Sequence, residues 1–335
     1  MYNPLLYNNK YHEVDLSKST FLVTGGAGFI GSNLVEYLLK NNAGKVRVLD
    51  NLSNGYYENI ENFINLPNFE YIQGDIREYT SCLKALEGID YVSHQAALGS
   101  VPRSINDPIT TNDVNVGGFL NILTAVKDSK RVKKMVYAAS SSTYGDSKEL
   151  PKVEGKEGRP LSPYAVTKLI NEIYADVYCR VYDLKTVGLR YFNVFGPKQN
   201  PNNPYAAVIP IFLKSIISNN SPQINGDGET SRDFTFVENV VQANIRALLS
   251  SNINKHQVYN VACGDRYTLN QIIEILNKIS NKKIIPNYGP ERVGDVRHSM
   301  ASIDLISTEI KYKPTIKFEE GLRIVYDWYL NNLNN

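Results

Sequence analysis

A chain of 335 residues, 42% hydrophobic, has room for two domains of ~150 residues, or one domain with a lobe, around a full core. Its 36 basic and 34 acidic residues leave a net charge of +2, which argues against a nucleic-acid binder and leaves any anion to local arrangements. Three scattered cysteines without CxxC, four histidines without paired spacing, no apolar run near ~18 residues and a polar start exclude a disulfide scaffold, a metal site, a membrane span and a secretion signal, so a cytoplasmic protein is expected.

The apolar run Thr20–Thr24 predicts a first strand. Gly25-Gly26-Ala27-Gly28-Phe29-Ile30-Gly31 follows directly, and Ile30, Leu34, Val35, Leu38 and Leu39 then recur at helical spacing. A glycine loop between strand and helix permits a tight turn and close approach of backbone to a pyrophosphate. The helix N-terminus adds free N–H groups and a favourable dipole. A second strand at 46–50 ends in Asp50, about 20 residues past the loop. Its carboxylate suits the adenosine ribose hydroxyls and would repel a 2′-phosphate. No arginine follows in Asn51-Leu52-Ser53, so NAD is expected over NADP.

Two more strands are expected at Phe69–Gln73 and Tyr91–His94. Asp75-Ile76 lies beyond the first, where the carboxylate either bonds the adenine amino group or closes a turn. His94-Gln95-Ala96-Ala97 lies at the second; its alanines would let a cofactor approach, and His94 reads as structural. A strand at 134–138 leads to Ser140-Ser141-Ser142-Thr143-Tyr144-Gly145. A hydroxyl there can bond a reacting oxygen, or the serines can simply cap backbone.

A long helix is expected over 162–182, with Ser162 as N-cap and Pro163 in its first turn. It carries Tyr164 and Lys168 at i and i+4 on one face. A free phenol titrates near ~10, and a neighbouring ammonium would favour the phenolate, making Tyr164 a base for a hydroxyl proton. A strand at 185–190 follows. Beyond Tyr191, stretches rich in Pro, Asn and Gly read as a loop-built lobe, and 258–261 as a strand returning to the sheet. The β-α alternation predicts an α/β fold, a Rossmann-type doubly wound parallel sheet with a smaller, discontinuous α/β substrate lobe. The expected division is 1–191 with about 233–263 for the dinucleotide, and 192–232 with 264–335 for the substrate.

The glycine loop, the serine run before Tyr144-Gly145, and Ser162-Pro163-Tyr164-Ala165-Val166-Thr167-Lys168 together resemble the extended short-chain dehydrogenase/reductases. The resemblance continues through Asn193-Val194-Phe195-Gly196-Pro197, Gly226-Asp227-Gly228, Arg232-Asp233-Phe234, Val237-Glu238-Asn239-Val240 and Gly294-Asp295-Val296-Arg297, and covers roughly residues 19–330. These enzymes act on nucleotide sugars. Ala97-Leu98-Gly99-Ser100-Val101-Pro102-Arg103-Ser104 and Arg297-His298-Ser299 look most like the UDP-N-acetylglucosamine 4-epimerases of surface-polysaccharide pathways.

That resemblance implies reversible C4 epimerisation of UDP-N-acetylglucosamine to UDP-N-acetylgalactosamine with tightly bound NAD, and UDP-glucose and UDP-galactose as a further pair. Tyr164 would take the C4 hydroxyl proton while the C4 hydride passes to NAD; the 4-keto sugar would turn over and be reduced on its other face. Lys168 would hold the nicotinamide ribose. Ser141 is taken as the family's catalytic serine, with Ser142 beside it. Counted from Ser141 the run is one residue shorter than the family's Ser-x-x-Val-Tyr-Gly, so Ser140, Ser141 and Ser142 all stay candidates.

The implied NAD contacts begin with Gly25, Gly28, Phe29, Ile30 and Gly31 on the loop. Asp50, Asn51, Ser53, Asn54 and Gly55 follow the second strand; Asp75, Ile76, Gln95, Ala96 and Ala97 follow the next two. Tyr164, Lys168, Tyr191 and Val194 complete the set. For the UDP-sugar, Gly99, Ser100 and Arg103 join Ser141, Ser142 and Tyr164. Asn193, Arg232 and Arg297 would meet the diphosphate, and Ala206, Ala207 and Val208 the uracil side, with Asn225 nearby. Ser299, being small, would leave room for an N-acetyl group. The resemblance also implies a homodimer through two long helices per subunit, one being 162–182, and no metal.

A 4,6-dehydratase or a decarboxylase of this family needs a carboxyl in the turn before Tyr144, and none is present. A UDP-glucuronate 4-epimerase needs the same Ser, Tyr and Lys, with Arg103 or Arg297 as carboxylate anchor, and is the alternative reading. A non-catalytic NAD-binding module, a remoter one, would need neither Tyr164 nor Lys168.

Overall fold

The computed structural model describes residues 6–202, 207–291 and 297–332. Six strands rise in chain order: β1 (Thr20–Thr24), β2 (Lys45–Asp50), β3 (Phe69–Gln73), β4 (Tyr91–His94), β5 (Lys134–Ser140) and β6 (Thr186–Tyr191). With a returning strand at Gln257–Val261 they form one sheet, in the order Gln257–Val261, β6, β5, β4, β1, β2, β3. Every pairing in it is parallel. Such a sheet is covered on both faces, which explains why β1, β2, β5 and β6 are nearly continuous buried runs instead of alternating ones. The chain reverses its winding direction at β1, so the carboxyl ends of β1 and β4 border the crevice where ligands of doubly wound sheets bind.

Helix α1 (Phe29–Lys40) follows the glycine loop and buries Leu34, Val35, Leu38 and Leu39. The helix Pro163–Tyr182 starts on Ser162, whose Oγ accepts from Ala165 N at 3.2 Å, with Pro163 in the first turn. Beyond β6 the lobe is built from very short strands: Gln223–Asn225 pairs Asn287–Gly289, and Ser231–Arg232 pairs Tyr267–Thr268. Three helices, Val208–Ile217, Leu269–Ser280 and Phe318–Asn332, pack together around them.

Two features depart from the expected plan. The helix Asp304–Ile310 falls in the span assigned to the substrate lobe, yet Ile306, Ile310 and Tyr312 pack with Val187, Leu189 and Tyr259 on the sheet. Apolar burial against strand Gln257–Val261 draws this piece back to the dinucleotide half. The polar-looking N-terminal stretch is also anchored: Leu6, Tyr7, Tyr11 and Leu16 are buried. Tyr7 donates to Asn33 Oδ1 at 2.6 Å, and Tyr11 to Glu238 Oε1 at 2.7 Å. A single hydrophobic cluster runs from Phe21 and Leu34 through Phe195 and Phe236 to Phe212 and Phe318, so the two halves share a core. No described helix is long and apolar enough to cross a membrane.

Candidate active site

The glycine loop turns sharply out of β1. Gly25 has φ +67°, and a Cβ there would meet Ala96 N at 2.6 Å. A Cβ at Gly31 would lie 2.1 Å from Gly25 O. Only glycine allows the loop, α1 and the end of β4 to come this close. Gly28 precedes α1 with no side-chain cap, and the first turn holds no acidic residue. Its N–H groups and dipole are thus available to an anion.

At the end of β2, Asp50 accepts from Ala27 N (2.9 Å) and Leu52 N (2.8 Å), one bond to each carboxylate oxygen. Burial raises its pKa, and these two bonds oppose the rise. Each oxygen keeps acceptor capacity for a ribose hydroxyl. Asp75 is held at a pKa of about 2, chiefly by hydrogen bonds from Arg77, and accepts from Asn51 Nδ2 at 2.9 Å. Asp75 Oδ1 also accepts from Arg77 N at 2.8 Å, which closes a turn. His94 lies buried with Nδ1 2.8 Å from Thr24 Oγ1, and burial pushes its pKa down to about 3. It is a neutral structural imidazole.

These elements enclose a cleft of about 410 Å³, within the ~300–1,000 Å³ range of ligand sites. All residues expected at NAD line it. Gly25, Gly28, Phe29, Ile30 and Gly31 lie along it with Asp50, Asn51, Ser53, Asn54 and Gly55. Asp75, Ile76, Gln95, Ala96, Ala97, Tyr164, Lys168, Tyr191 and Val194 complete that part. The residues present therefore fit a dinucleotide: an uncapped helix N-terminus for pyrophosphate, a carboxylate for ribose, and small residues where backbone must approach.

Tyr164 and Lys168 enter the cleft from the long helix. Lys168 Nζ donates to Ala138 O at 2.7 Å and lies 5.9 Å from the Tyr164 ring centroid. Burial lowers the Lys168 pKa to about 8, and Glu172, one turn further along the helix, opposes the drop. The lysine was expected to depress the Tyr164 pKa. Instead burial raises that pKa, and the opposing contribution is a hydrogen bond with Ser140. At this distance the ammonium spends its hydrogen bond on a backbone carbonyl.

Of the three candidate serines, Ser140 lines the cleft and the preferred Ser141 does not. Strand β5 runs two residues further than expected, to Ser140, which lines the cleft and pairs with Tyr164. Ser141 and Ser142 lie in a following single turn, Ser141–Tyr144, outside the cleft lining. Ser142 Oγ donates to Ser140 Oγ at 2.9 Å, and Ser142 N to the same atom at 3.2 Å. Ser140 is thus the serine that shares the cleft with the phenol, and Ser142 is hydrogen-bonded to it. The signal was present: counted from Ser140, Ser140-Ser141-Ser142-Thr143-Tyr144-Gly145 keeps the family's spacing intact.

Behind the helix, Arg190 on β6 grips Glu172 with two hydrogen bonds of 2.9 and 2.6 Å and reaches Glu157. Its guanidinium lies 4.9 Å from the Tyr144 ring centroid. This buried network ties the helix of Tyr164 and Lys168 to the turn that follows Ser140.

The substrate set is more dispersed. Gly99, Tyr164 and Ala207 line the cleft, and a Cβ at Gly99 would meet nothing within 4 Å. Ser100 caps the helix Val101–Asn106, accepting from Arg103 N at 3.1 Å. Arg103 reaches Asn54 Oδ1 at 3.2 Å, which places it beside the loop after β2. Asn193 turns its amide to Asp233 O at 2.8 Å, away from the cleft lining. Val208 opens the helix Val208–Ile217, and Asn225 ends a lobe strand.

Arg232 donates to Arg297 O at 3.2 Å, and Ser299 N donates to Ser231 O at 3.1 Å, so Arg232, Arg297 and Ser299 gather on one side of the lobe. Arg297 pairs with Asp227 at 2.6 Å and borders a separate cavity with His298 and Arg266. Ala206, with Gly294, Asp295 and Val296, lies outside the described residues. Lining residues that sequence reasoning missed include Tyr56, Leu98, Val114, Lys198, Gln199 and Asn200.

Comparison with known proteins places this geometry. The chain is 36% identical over 313 residues to a putative UDP-glucose 4-epimerase of Methanocaldococcus jannaschii, covering 93% of this chain and 98% of that one. A solved UDP-N-acetylglucosamine 4-epimerase of Methanobrevibacter ruminantium, in complex with UDP-N-acetylmuramic acid, superposes with TM-score 0.88 at 41% identity, over 93% of this chain and 98% of that one. A UDP-glucuronic acid 4-epimerase of Bacillus cereus, with UDP-glucuronic acid and NAD, gives 0.86 at 32%, over 93% and 99%. Residues 21–262 match the model of the NAD dependent epimerase/dehydratase family. This chain is an NAD-dependent enzyme and belongs to that family, within the extended short-chain dehydrogenase/reductases.

Proposed function

We propose that this enzyme interconverts UDP-N-acetylglucosamine and UDP-N-acetylgalactosamine by inversion at C4, retaining NAD throughout. The observation that carries the reading is the convergence of Ser140, Tyr164 and Lys168 on one cleft with no carboxylate in the turn 141–144. Ser140 and Tyr164 can hold a sugar hydroxyl between them, and Tyr164 takes its proton. The Lys168 ammonium would hold positive charge beside the nicotinamide ribose. When bound, NAD would supply the hydride acceptor for C4 and the donor for its reduction. With no acid in the turn, water is not eliminated across C5 and C6, and the ketone's remaining course is reduction.

The N-acetyl preference is supported by the open space around Gly99 and the small side chain of Ser299, and by the 41% identity to the Methanobrevibacter ruminantium enzyme. UDP-glucose and UDP-galactose are a second pair of substrates. The assignment of roles places the dinucleotide in the β-sheet half and the UDP-sugar against the lobe, with Arg232 and Arg297 meeting the diphosphate.

The test is to incubate the purified enzyme with UDP-N-acetylglucosamine, UDP-glucose and UDP-glucuronate, without added reductant, and to resolve the C4 epimers. Absence of UDP-N-acetylgalactosamine would sink the reading. Conversion of UDP-glucuronate alone would establish the alternative, with Arg103 or Arg297 as its carboxylate anchor.

We also propose a cytoplasmic homodimer formed through the helix Pro163–Tyr182. Val166, Ile173, Val177 and Val181 form an exposed apolar stripe along it, 36–61% accessible. Light scattering should return twice the chain mass of 37.7 kDa; a monomer mass would refute the assembly.

A further inference from the structure

We propose that residues 196–200 form a strap that retains the cofactor between turnovers, and that the Lys198–Glu36 ion pair is its pin. This rests on the reading that NAD stays resident through the cycle.

Glu36 lies on α1, the helix whose N-terminus faces the cleft, and its side chain is only 3% exposed. A carboxylate so buried needs a cation. Lys198 supplies it from 162 residues away in sequence, with Nζ 2.9 Å from Glu36 Oε2. The same ammonium lies 5.4 Å from the Phe63 ring centroid. Lys198 has φ +71°, a conformation that side-chain-bearing residues adopt only where surroundings hold them.

The surroundings do hold it. On α1, Asn33 Nδ2 donates to Pro197 O at 3.1 Å. On the loop after β2, Tyr56 OH accepts from Asn200 Nδ2 at 2.5 Å. From the C-terminal helix, Tyr329 OH donates to Gln199 O. The strap is thus fastened to α1 at one end and to the 53–56 loop at the other, and both supports carry residues that line the cleft. Lys198, Gln199 and Asn200 line it too. A dinucleotide lying between α1 and that loop is bridged by the strap. For it to leave, the strap must first detach. The pin is a charge-assisted contact between a buried carboxylate and an ammonium whose side chain is 15% exposed, so detachment is slow.

The test uses holoenzyme as purified. Released NAD is trapped by excess alcohol dehydrogenase and ethanol, and NADH appearance gives the release rate. Lys198→Met alone removes the ammonium beside the buried Glu36 carboxylate and keeps the carboxylate charge, so the primary variant is Lys198→Met combined with Glu36→Gln, which removes both charges. Release should quicken at least about tenfold, while KM for the UDP-sugar changes far less. Asn200→Ala, which loses only the Tyr56 tie, should quicken release less but in the same direction.

An unchanged release rate in a double variant that still melts cooperatively overturns the strap. So does faster release matched by an equal rise in the UDP-sugar KM, because that signals general loosening. Wild-type enzyme that purifies without NAD refutes the resident-cofactor reading itself, and the strap with it. Bound NAD with no C4 inversion refutes only the proposed reaction.

Discussion

At the cofactor end, lining residues grow from strand ends in one parallel ladder; in the lobe, Asn225 and Arg232 sit on strands of three and two residues. Asp50, Gln95 and Ser140 are placed by the shared register of β2, β4 and β5. Arg297 is placed by an ion pair with Asp227 in which both side chains are 51% exposed. Water screens an exposed pair of that kind and leaves it weak, so its arginine can exchange a carboxylate for a phosphate at little cost. A ladder gives catalytic groups fixed positions, whereas loosely held cations can adapt to a substrate that must turn over. Changes at the sheet end should therefore damage chemistry, and changes in the lobe should shift selectivity.

The sharpest test of the contrast is Tyr164→Phe. Turnover should fall by roughly 10²–10⁴-fold, the range for a lost acid–base group. NAD should stay bound, as an absorbance ratio or extraction would report. Loss of NAD from that variant would mean Tyr164 holds the cofactor more than it moves a proton.

Next comes a pair of serines. Ser140→Ala is expected to lower kcat on the order of 10²-fold, as removal of one aligned donor does, whereas Ser141→Ala should stay within about twofold. Equal effects would undo the assignment made from the Ser140–Tyr164 contact.

The third prediction concerns pH. With its pKa lowered to about 8, Lys168 is an ammonium below that pH and loses its proton above it. Activity that depends on the ammonium is therefore full below about 8, and kcat/KM should decline about tenfold per unit above it. In Lys168→Met the rate should be low throughout and that limb absent. An unaltered limb in the variant would assign it to another group.

The smallest effect is expected in the lobe. Ser299→Tyr should depress turnover of the N-acetylated substrates about tenfold relative to UDP-glucose. Parallel losses on both would show that Ser299 supports the lobe without bordering the sugar.

Much of the sheet end was legible because its signals are local. Strands β1, β2, β5 and β6 are short buried runs, the glycine loop lies between a strand and a helix, and Ser162-Pro163 marks the start of the long helix within a few residues. The choice among Ser140, Ser141 and Ser142 stayed open, with Ser141 preferred, because three adjacent hydroxyls look alike until a strand end and two hydrogen bonds single one out. Lys198 was missed for a different reason. No periodicity joins a lysine in a loop to a carboxylate on a helix far earlier in the chain, and only folding brings them together. The packing of Asp304–Ile310 on the sheet was not legible, because sequence order continues through the lobe while apolar burial returns to the sheet.

The shared cluster from Leu34 to Phe318 has a consequence for how substrate enters. Enzymes that close two rigid bodies around a ligand need a weak seam between them, and this seam is packed with phenylalanines. Prying it open would expose that apolar surface to water at every turnover. Entry should then depend on local loop breathing at the rim, with the chamber keeping its dimensions throughout. A hexose that rotates inside walls of constant size is selected twice, once by whether it fits and again by whether it can turn.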